Sequence, residues 1–341
     1  MPSFAIYRLP FARQCTLMVQ NTSPIELSSL ADLNGQSGFV IAPFSSDDEN
    51  PILLMHPDEI TTVDVRDVEA GRWSSDRQLS SSKARAERES YHDNFAHFHS
   101  QLISGRFSKL VLSRCSETPL DDGLRAEEIF QRACQLYPRQ FVALFSTPKS
   151  GTWLMATPEI LLDGSGGRWR TMALAGTMPY REGPVSWSEK NQSEQRYVAN
   201  YIRERLKDYA REIKEEGPQT TRAADLVHLR SDFTFFLNDD NAIGHLLDSL
   251  HPTPAVCGIP KDEARDYILE NESSPRHYYS GFAGPLNLQG DTHLYVSLRC
   301  MEILLGCCKL YAGGGILRES TEESEWEETE VKLSTMRKLL V

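Results

Sequence analysis

The side chains in this sequence best suited to move protons, hold a cation or meet an anion are Lys109, Glu159, Glu194, Arg299, Glu325 and Glu328. Glu325 and Glu328 stand three apart in the acidic run Glu322–Glu330, so a helix there places them on one face. Acids in a first turn suit the helix dipole, and Ser320 or Thr321 could cap it, so a solvated helix end explains most of the run. With Glu194 as a partner from another helix N-terminus, one or two of these carboxylates become candidate ligands for a hard divalent cation. Lys109 opens the apolar run Leu110-Val-Leu112; exposed it is a strand end, and buried its pKa falls and it can act as a general base. Glu159, after Ala156-Thr-Pro158, is either a turn residue in water or a carboxyl with a raised pKa that donates a proton. Arg299 alternates with apolar residues in Tyr295-Val-Ser-Leu-Arg-Cys-Met301, and an inward arginine needs an anion, whether a protein carboxylate or a ligand.

Smaller motifs surround these groups. Leu174-Ala-Gly-Thr177 is a glycine turn after a strand, able to line a pocket with backbone N–H groups or the Thr177 hydroxyl. The two prolines and the glycine of His251-Pro-Thr-Pro-Ala-Val-Cys-Gly258 make a rigid loop whose Ala255 and Val256 suit a pocket wall. Gly313-Gly-Gly315 lets a backbone pass close to another group. His228, in Leu226-Val-His-Leu229, reads first as a core histidine.

Positioning these groups requires an α+β chain. A helix is expected from Ser81-Ser82 to Gly105, with Tyr91, Phe95, Phe98 and Leu102 as its core stripe. Strands are expected at Lys109–Arg114, Phe141–Phe145, Trp153–Met155, Ile160–Leu162 and Arg170–Leu174. A long charged helix follows over Glu189–Glu216, then helices at Ala242–Leu250 and Lys261–Glu270. Residues 277–286, 292–304 and 308–318 read as strands, and the acidic helix closes the chain. Strand clusters broken by helix clusters point away from a regular βαβ alternation. Val40–Phe44 and Ile52–Met55 give strands in the first 80 residues, a β-rich part of the same fold, with residues 81–341 as the catalytic core.

The chain has 341 residues, 40% hydrophobic and 25% charged, which is globular in composition. No apolar run reaches the length of a membrane span, and the start lacks a signal-peptide core, so the expectation is a cytoplasmic protein with no membrane partner. Seven cysteines without metal-ligand spacing fit reduced thiols. A net charge of −12 with no basic stripe argues against nucleic acid.

The order of these motifs resembles the chorismate-utilising enzymes related to anthranilate synthase component I, and among them isochorismate synthases. The blocks KLVLSR (109–114), ATPE (156–159), LAGT (174–177), SEKNQSE (188–194), HL (228–229), HPTPAVCG (251–258), SLR (297–299), YAGGG (311–315) and SEWEET (324–329) run over residues 105–341. The resemblance implies one large fold of layered antiparallel sheets flanked by helices. It implies Lys109 as the base that activates water and Glu159 as the acid that protonates the departing hydroxyl. It also implies Mg²⁺ held by Glu194 and Glu328 with Glu325 nearby, and chorismate held by Arg299 and the backbone of Gly313, Gly314 and Gly315. Tyr279, His228, Ala255 and Thr177 fall at pocket positions, and Glu322, Glu323, Glu327 and Glu330 are left as a solvated face. A cation reconciles an acidic protein with a dianionic substrate.

Within the family, anthranilate-forming relatives generally lack a lysine at the position of Lys109. Salicylate synthases share it but carry a different loop where this chain has His251–Ala255. The reading is an isochorismate synthase for menaquinone synthesis, with a siderophore pathway, salicylate synthesis or a non-catalytic chorismate binder as alternatives. It implies a monomer with no glutamine amidotransferase partner. Two positions depart from the pattern: Asn191 where relatives often carry an acid, and Gly313-Gly-Gly315 where alternating Gly-Ala-Gly is usual.

Overall fold

A computed structural model describes residues 2–68, 84–120, 123–180, 182–223 and 226–341. Two nine-stranded sheets stack on each other. Strand pairing is antiparallel throughout the described residues. Among the described residues six α-helices and three short 3₁₀ turns accompany them. The result is α+β with helices outside the paired sheets.

The first sheet runs in space as Gly258–Ile259, Lys109–Pro119, Cys307–Ile316, Cys300–Leu304, Gly151–Thr157, Phe141–Thr147, Ser3–Arg8, Gln14–Gln20 and Glu59–Asp64. The second runs as Ala210–Ala223, Leu226–Leu237, Arg168–Pro179, Ile160–Ser165, Asp291–Val296, Phe282–Leu286, Gly38–Ala42, Ile52–Met55 and Ile25–Leu27. The N-terminal strands are thus woven into both sheets rather than appended to them.

Side-chain alternation explains the layers. In Phe141–Thr147, Phe141, Ala143 and Phe145 face the core between the sheets, while Val142 and Leu144 face the core under the helices Ala126–Leu136 and Glu322–Arg337. Both faces are buried, so the strand reads as one continuous apolar run. The helix Glu189–Tyr209 packs on the second sheet through Val198, Ile202 and Leu206. All seven cysteines are unpaired.

Three expected elements differ. The charged helix ends at Tyr209, and residues 210–223 form an edge strand instead. Its exposed, alternating polar residues carry helical-looking charge, yet an edge strand tolerates charge and uses it against sheet-to-sheet pairing. The stretch 292–304 is broken at 297–299, where Arg299 takes a left-handed backbone with φ of 47°. Strand character in 277–286 begins only at Phe282, after left-handed turns at His277 and Ser280. The helix at Ala84–Ile103 buries Tyr91, Phe95, Phe98 and Leu102 as expected, while its expected start at Ser81-Ser82 lies outside the described residues.

Candidate active site

A cleft opens where the strands Lys109–Pro119 and Cys307–Ile316 face the end of Arg168–Pro179. Of the residues singled out in the sequence, Glu159, Thr177, Glu194, His228, Ala255, Tyr279, Arg299, Gly313 and Gly315 line it. Lys109, Gly314, Glu325 and Glu328 do not line it, but Lys109 lies against the strand at Gly315, and Glu325 and Glu328 lie against it at Gly314.

Local structure explains each placement. Ser188 caps the helix Glu189–Tyr209 by accepting from Asn191 N at 3.2 Å. The stripe that buries Val198, Ile202 and Leu206 continues back to Glu194, bringing this carboxylate inside. Gly176 forms a bulge between Ala175 and Thr177, with φ of 68°, and a Cβ there would press on Asn191. Its N–H donates to Glu194 Oε2 at 3.3 Å. The strand break at Arg299 turns the guanidinium inward, where it is 8% exposed. Among the described residues no carboxylate pairs with it, and its Nη1 has no hydrogen-bond partner. Its Nη2 donates to His228 Nε2 at 3.2 Å. An arginine can only donate, so the His228 proton sits on Nδ1, within 3.2 Å of Gly176 O and Thr177 Oγ1. Burial, with Arg299 and Lys332 close by, holds His228 well below its usual pKa and therefore neutral.

Glu159 is 2% exposed. Burial pushes its pKa up to about 8 even though Lys109, Arg299 and Lys332 pull the other way. Near neutral pH this carboxyl holds its proton.

Lys109 is fully buried, with Nζ 2.9 Å from Glu194 Oε1. Burial would raise the pKa of Glu194, but Lys109, Lys190 and Lys332 outweigh it and keep the carboxylate ionised. Glu325 is ion-paired to Lys190, and Glu328 to Lys332 at 2.6 Å. Burial and the neighbouring Glu328 raise the pKa of Glu325 against the pull of Lys190. The glycine strand packs tightly here. A Cβ at Gly315 would collide with Glu194 Oε1 and lie 2.9 Å from Lys109 Cε. One at Gly314 would lie 3.1 Å from Glu325 Oε2 and 3.7 Å from Glu328 Oε1, and one at Gly313 would lie 2.8 Å from the Tyr279 hydroxyl.

Among the described residues no three His, Cys, Asp or Glu side chains already surround a common point as a ready chelate. The donor set nevertheless fits a hard cation. Its ligands are all oxygens, Glu194, Glu325 and Glu328 converge on the bare Gly314-Gly315 backbone, and Glu325 Oε2 is buried without a hydrogen-bond partner. A cation that keeps waters and takes a substrate oxygen needs only one or two of these carboxylates.

Sequence reasoning missed Lys332 and Lys190. Lys332 lines the cleft and donates to Gly313 O at 2.8 Å. An i, i+4 Glu–Lys pair such as Glu328–Lys332 reads as a solvated helix face, which hid it. The solvated face expected for the other acids holds only in part. Glu330 pairs with buried Arg114, and Glu322 pairs with Arg88 at 3.0 Å, because Arg114 and Arg88 both lie against Trp326 on this helix. The expected caps are absent: Thr321 occupies the N-cap without a side-chain bond, and Ser320 Oγ accepts from Leu317 N at 3.0 Å.

The two-sheet fold thus encloses, in one cleft, a buried arginine, a glutamic acid whose pKa burial raises, and lysine-paired carboxylates. The family profile described as chorismate binding enzyme matches residues 47–341, and the chain belongs to that family. The isochorismate synthase DhbC of Bacillus subtilis is 31% identical over 253 residues, covering 69% of this chain and 64% of that protein. The salicylate biosynthesis isochorismate synthase of Pseudomonas aeruginosa is 33% identical over 253 residues, covering 71% of this chain and 52% of that protein. The chain thus aligns with between about half and two thirds of the length of these curated relatives. The structure of MenF, the menaquinone-specific isochorismate synthase of Escherichia coli, has the same fold, with a TM-score of 0.80 at 22% identity over 100% of this chain and 89% of that one.

Proposed function

We propose that this protein is an isochorismate synthase, which adds the oxygen of water at C2 of chorismate and releases the C4 hydroxyl as water. The reading is carried by Glu159, a fully buried carboxyl with a pKa near 8, in the same cleft as Arg299 and its unpartnered Nη1. Lys109, as the free amine, takes a proton from the attacking water, the ring double bond shifts, and Glu159 delivers its proton to the leaving hydroxyl. Arg299 and the backbone at Gly313–Gly315 hold the carboxylates of the substrate, and His228 stays neutral as a hydrogen-bonding wall rather than an acid. A magnesium ion held by Glu194 and Glu328, with Glu325 behind them, would supply positive charge to the ring carboxylate. The side chains of Ala255 and Val256 exclude water from the apolar ring face.

Menaquinone synthesis is the pathway we propose; a strain lacking the gene should lose menaquinone, and a strain that keeps it would turn the reading to the siderophore alternative. The chemistry is tested by incubating the purified protein with chorismate and magnesium and separating the products. Isochorismate should accumulate above an EDTA control. No product would sink the reading, and salicylate with pyruvate would replace it by salicylate synthesis. If the protein only binds chorismate, ligand and magnesium together should raise the melting temperature without turnover.

A further inference from the structure

The strand Lys109–Pro119 carries both Lys109 and the cleft-lining Val111, yet one of its edges is almost without a partner strand. Among the described residues only Gly258–Ile259 pairs there, and that pairing stops at Leu110. From Val111 onward no described strand lies along the edge, and buried edge groups must find other partners. Val111 N donates to Cys257 O at 2.7 Å. The next two edge groups are met by one ion pair at the end of the helix Lys261–Asn271. Arg276 Nη2 donates to Val111 O at 2.8 Å, and Glu272 Oε1 accepts from Ser113 N at 2.6 Å. The same guanidinium sends Nη1 to Val256 O at 2.7 Å and binds Glu272 through Nε at 2.6 Å and Nη2 at 2.8 Å. Both side chains are 3% exposed, and the guanidinium lies 4.3 Å over the Phe44 ring.

We propose that Arg276 and Glu272 are positioning residues for the cleft: they stand in for the missing strand and fix the Ala255–Val256 wall against the strand that carries Lys109. Neither touches the cleft, since neither lines it. Arg276 holds Val256 from one side of the cleft and Val111 from the other, so it sets the separation of two lining residues. It is also three residues before Tyr279, whose N–H donates to Arg276 O at 2.9 Å, so the turn that delivers Tyr279 starts from the same anchor. A buried ion pair is a poor source of net stability compared with apolar packing, whereas its planar, bidentate geometry fixes position. Arginine is required because three acceptors, Val111 O, Val256 O and the Glu272 carboxylate, lie in directions that a single ammonium on a flexible stem cannot hold together.

The inference rests on the proposed isochorismate synthase activity, and steady-state kinetics of Arg276→Lys and Glu272→Gln test it beside the wild type. Both variants should lose tenfold or more in kcat with KM changed by less than threefold, because the substrate anchors remain while the base and the opposite wall drift from their reacting positions. Both variants should still unfold in one cooperative thermal transition, which shows that the fold is kept even where the altered pair lowers the midpoint. Folded variants with wild-type kcat, or a loss confined to KM, would overturn the inference. If Arg276→Lys fails to fold, Glu272→Gln decides, because its amide oxygen still accepts from Ser113 N; if neither folds, the pair holds the fold rather than the cleft and the inference falls. A wild type that makes no isochorismate defeats the proposed activity and this inference with it, whereas an active wild type with unaffected variants defeats the inference alone.

Discussion

Glu159 shows how burial converts an ordinary residue type into a chemical tool. Its carboxyl is shut away from water among Lys109, Arg299 and Lys332, and desolvation still raises its pKa to about 8. As the proposed acid it must be protonated, so kcat should fall as pH rises through about 8. Glu159→Gln should cost roughly 10²–10⁴ in kcat and remove that alkaline limb, measured as a pH–rate profile. The same shift bears on stability. Between the usual carboxyl pKa and about pH 8 the folded form binds more protons here than the unfolded form, so stability contributed at low pH is lost as pH rises through that window. Glu159→Gln should therefore melt higher than the wild type at pH 8 and approach it at pH 5, a difference of a few kcal/mol at most on the order set by such shifts. If the melting gap does not depend on pH, the carboxyl is not protonated in the folded state. The sequence exposed this residue through its motif, but not its burial, which depends on the opposite sheet. Lys332 went unread for the converse reason: its spacing to Glu328 matches an ordinary surface pair, and only the docking of the helix against Gly313 reveals its inward side.

At the scale of elements, the acidic helix Glu322–Arg337 is held by contacts that its sequence hardly advertises. Arg114, 4% exposed, ion-pairs with Glu87 and Glu330, donates to Thr329 Oγ1 at 2.7 Å, and lies 3.7 Å from the Trp326 ring centroid. It joins the helices Ala84–Ile103 and Glu322–Arg337 to the strand Lys109–Pro119. Arg114→Met would leave Glu87 without its partner, while Glu330 keeps Arg337 at 2.7 Å, and about 3 kcal/mol of stability should be lost in urea denaturation. The glycine strand makes the complementary point. Gly315→Ala would thrust a methyl into Glu194 Oε1 and against Lys109, so turnover should drop at least a hundredfold with the fold intact by circular dichroism. A fully active Gly315→Ala enzyme would show that Glu194 moves freely, contrary to the packing seen here. Element types were largely legible where apolar periodicity was strong, as in Phe141–Thr147. The error at residues 210–216 arose because a charged edge strand and a charged helix share a composition, and only pairing with Leu226–Leu237 decides between them.

For the whole molecule, interleaved topology governs cooperativity. Ser3–Arg8 pairs with Phe141–Thr147 inside the first sheet, and Gly38–Ala42 pairs with Phe282–Leu286 inside the second, so residues from the N-terminal fifth of the chain hold both sheets. No layer can unfold while leaving its neighbour's core covered, which predicts a single urea transition seen alike by tryptophan fluorescence and far-ultraviolet circular dichroism. The pH dependence of that transition has a second buried source on the acid side. His251 is 7% exposed, its Nε2 lies 3.0 Å from Pro43 O, and burial lowers its pKa to about 4 despite that hydrogen bond. Below about pH 6.5 the unfolded chain protonates this ring and the folded protein does not, so stability present at neutral pH is lost as pH falls from about 6.5 to about 4. His251→Gln keeps a donor for Pro43 O and removes the titration. Its urea midpoint should fall less steeply than the wild type's between pH 6.5 and 4.5. An identical slope in the two proteins would mean that His251 is already charged in the folded state, or reaches water, and would transfer the acid sensitivity to His228, the other buried imidazole whose pKa is held down by burial.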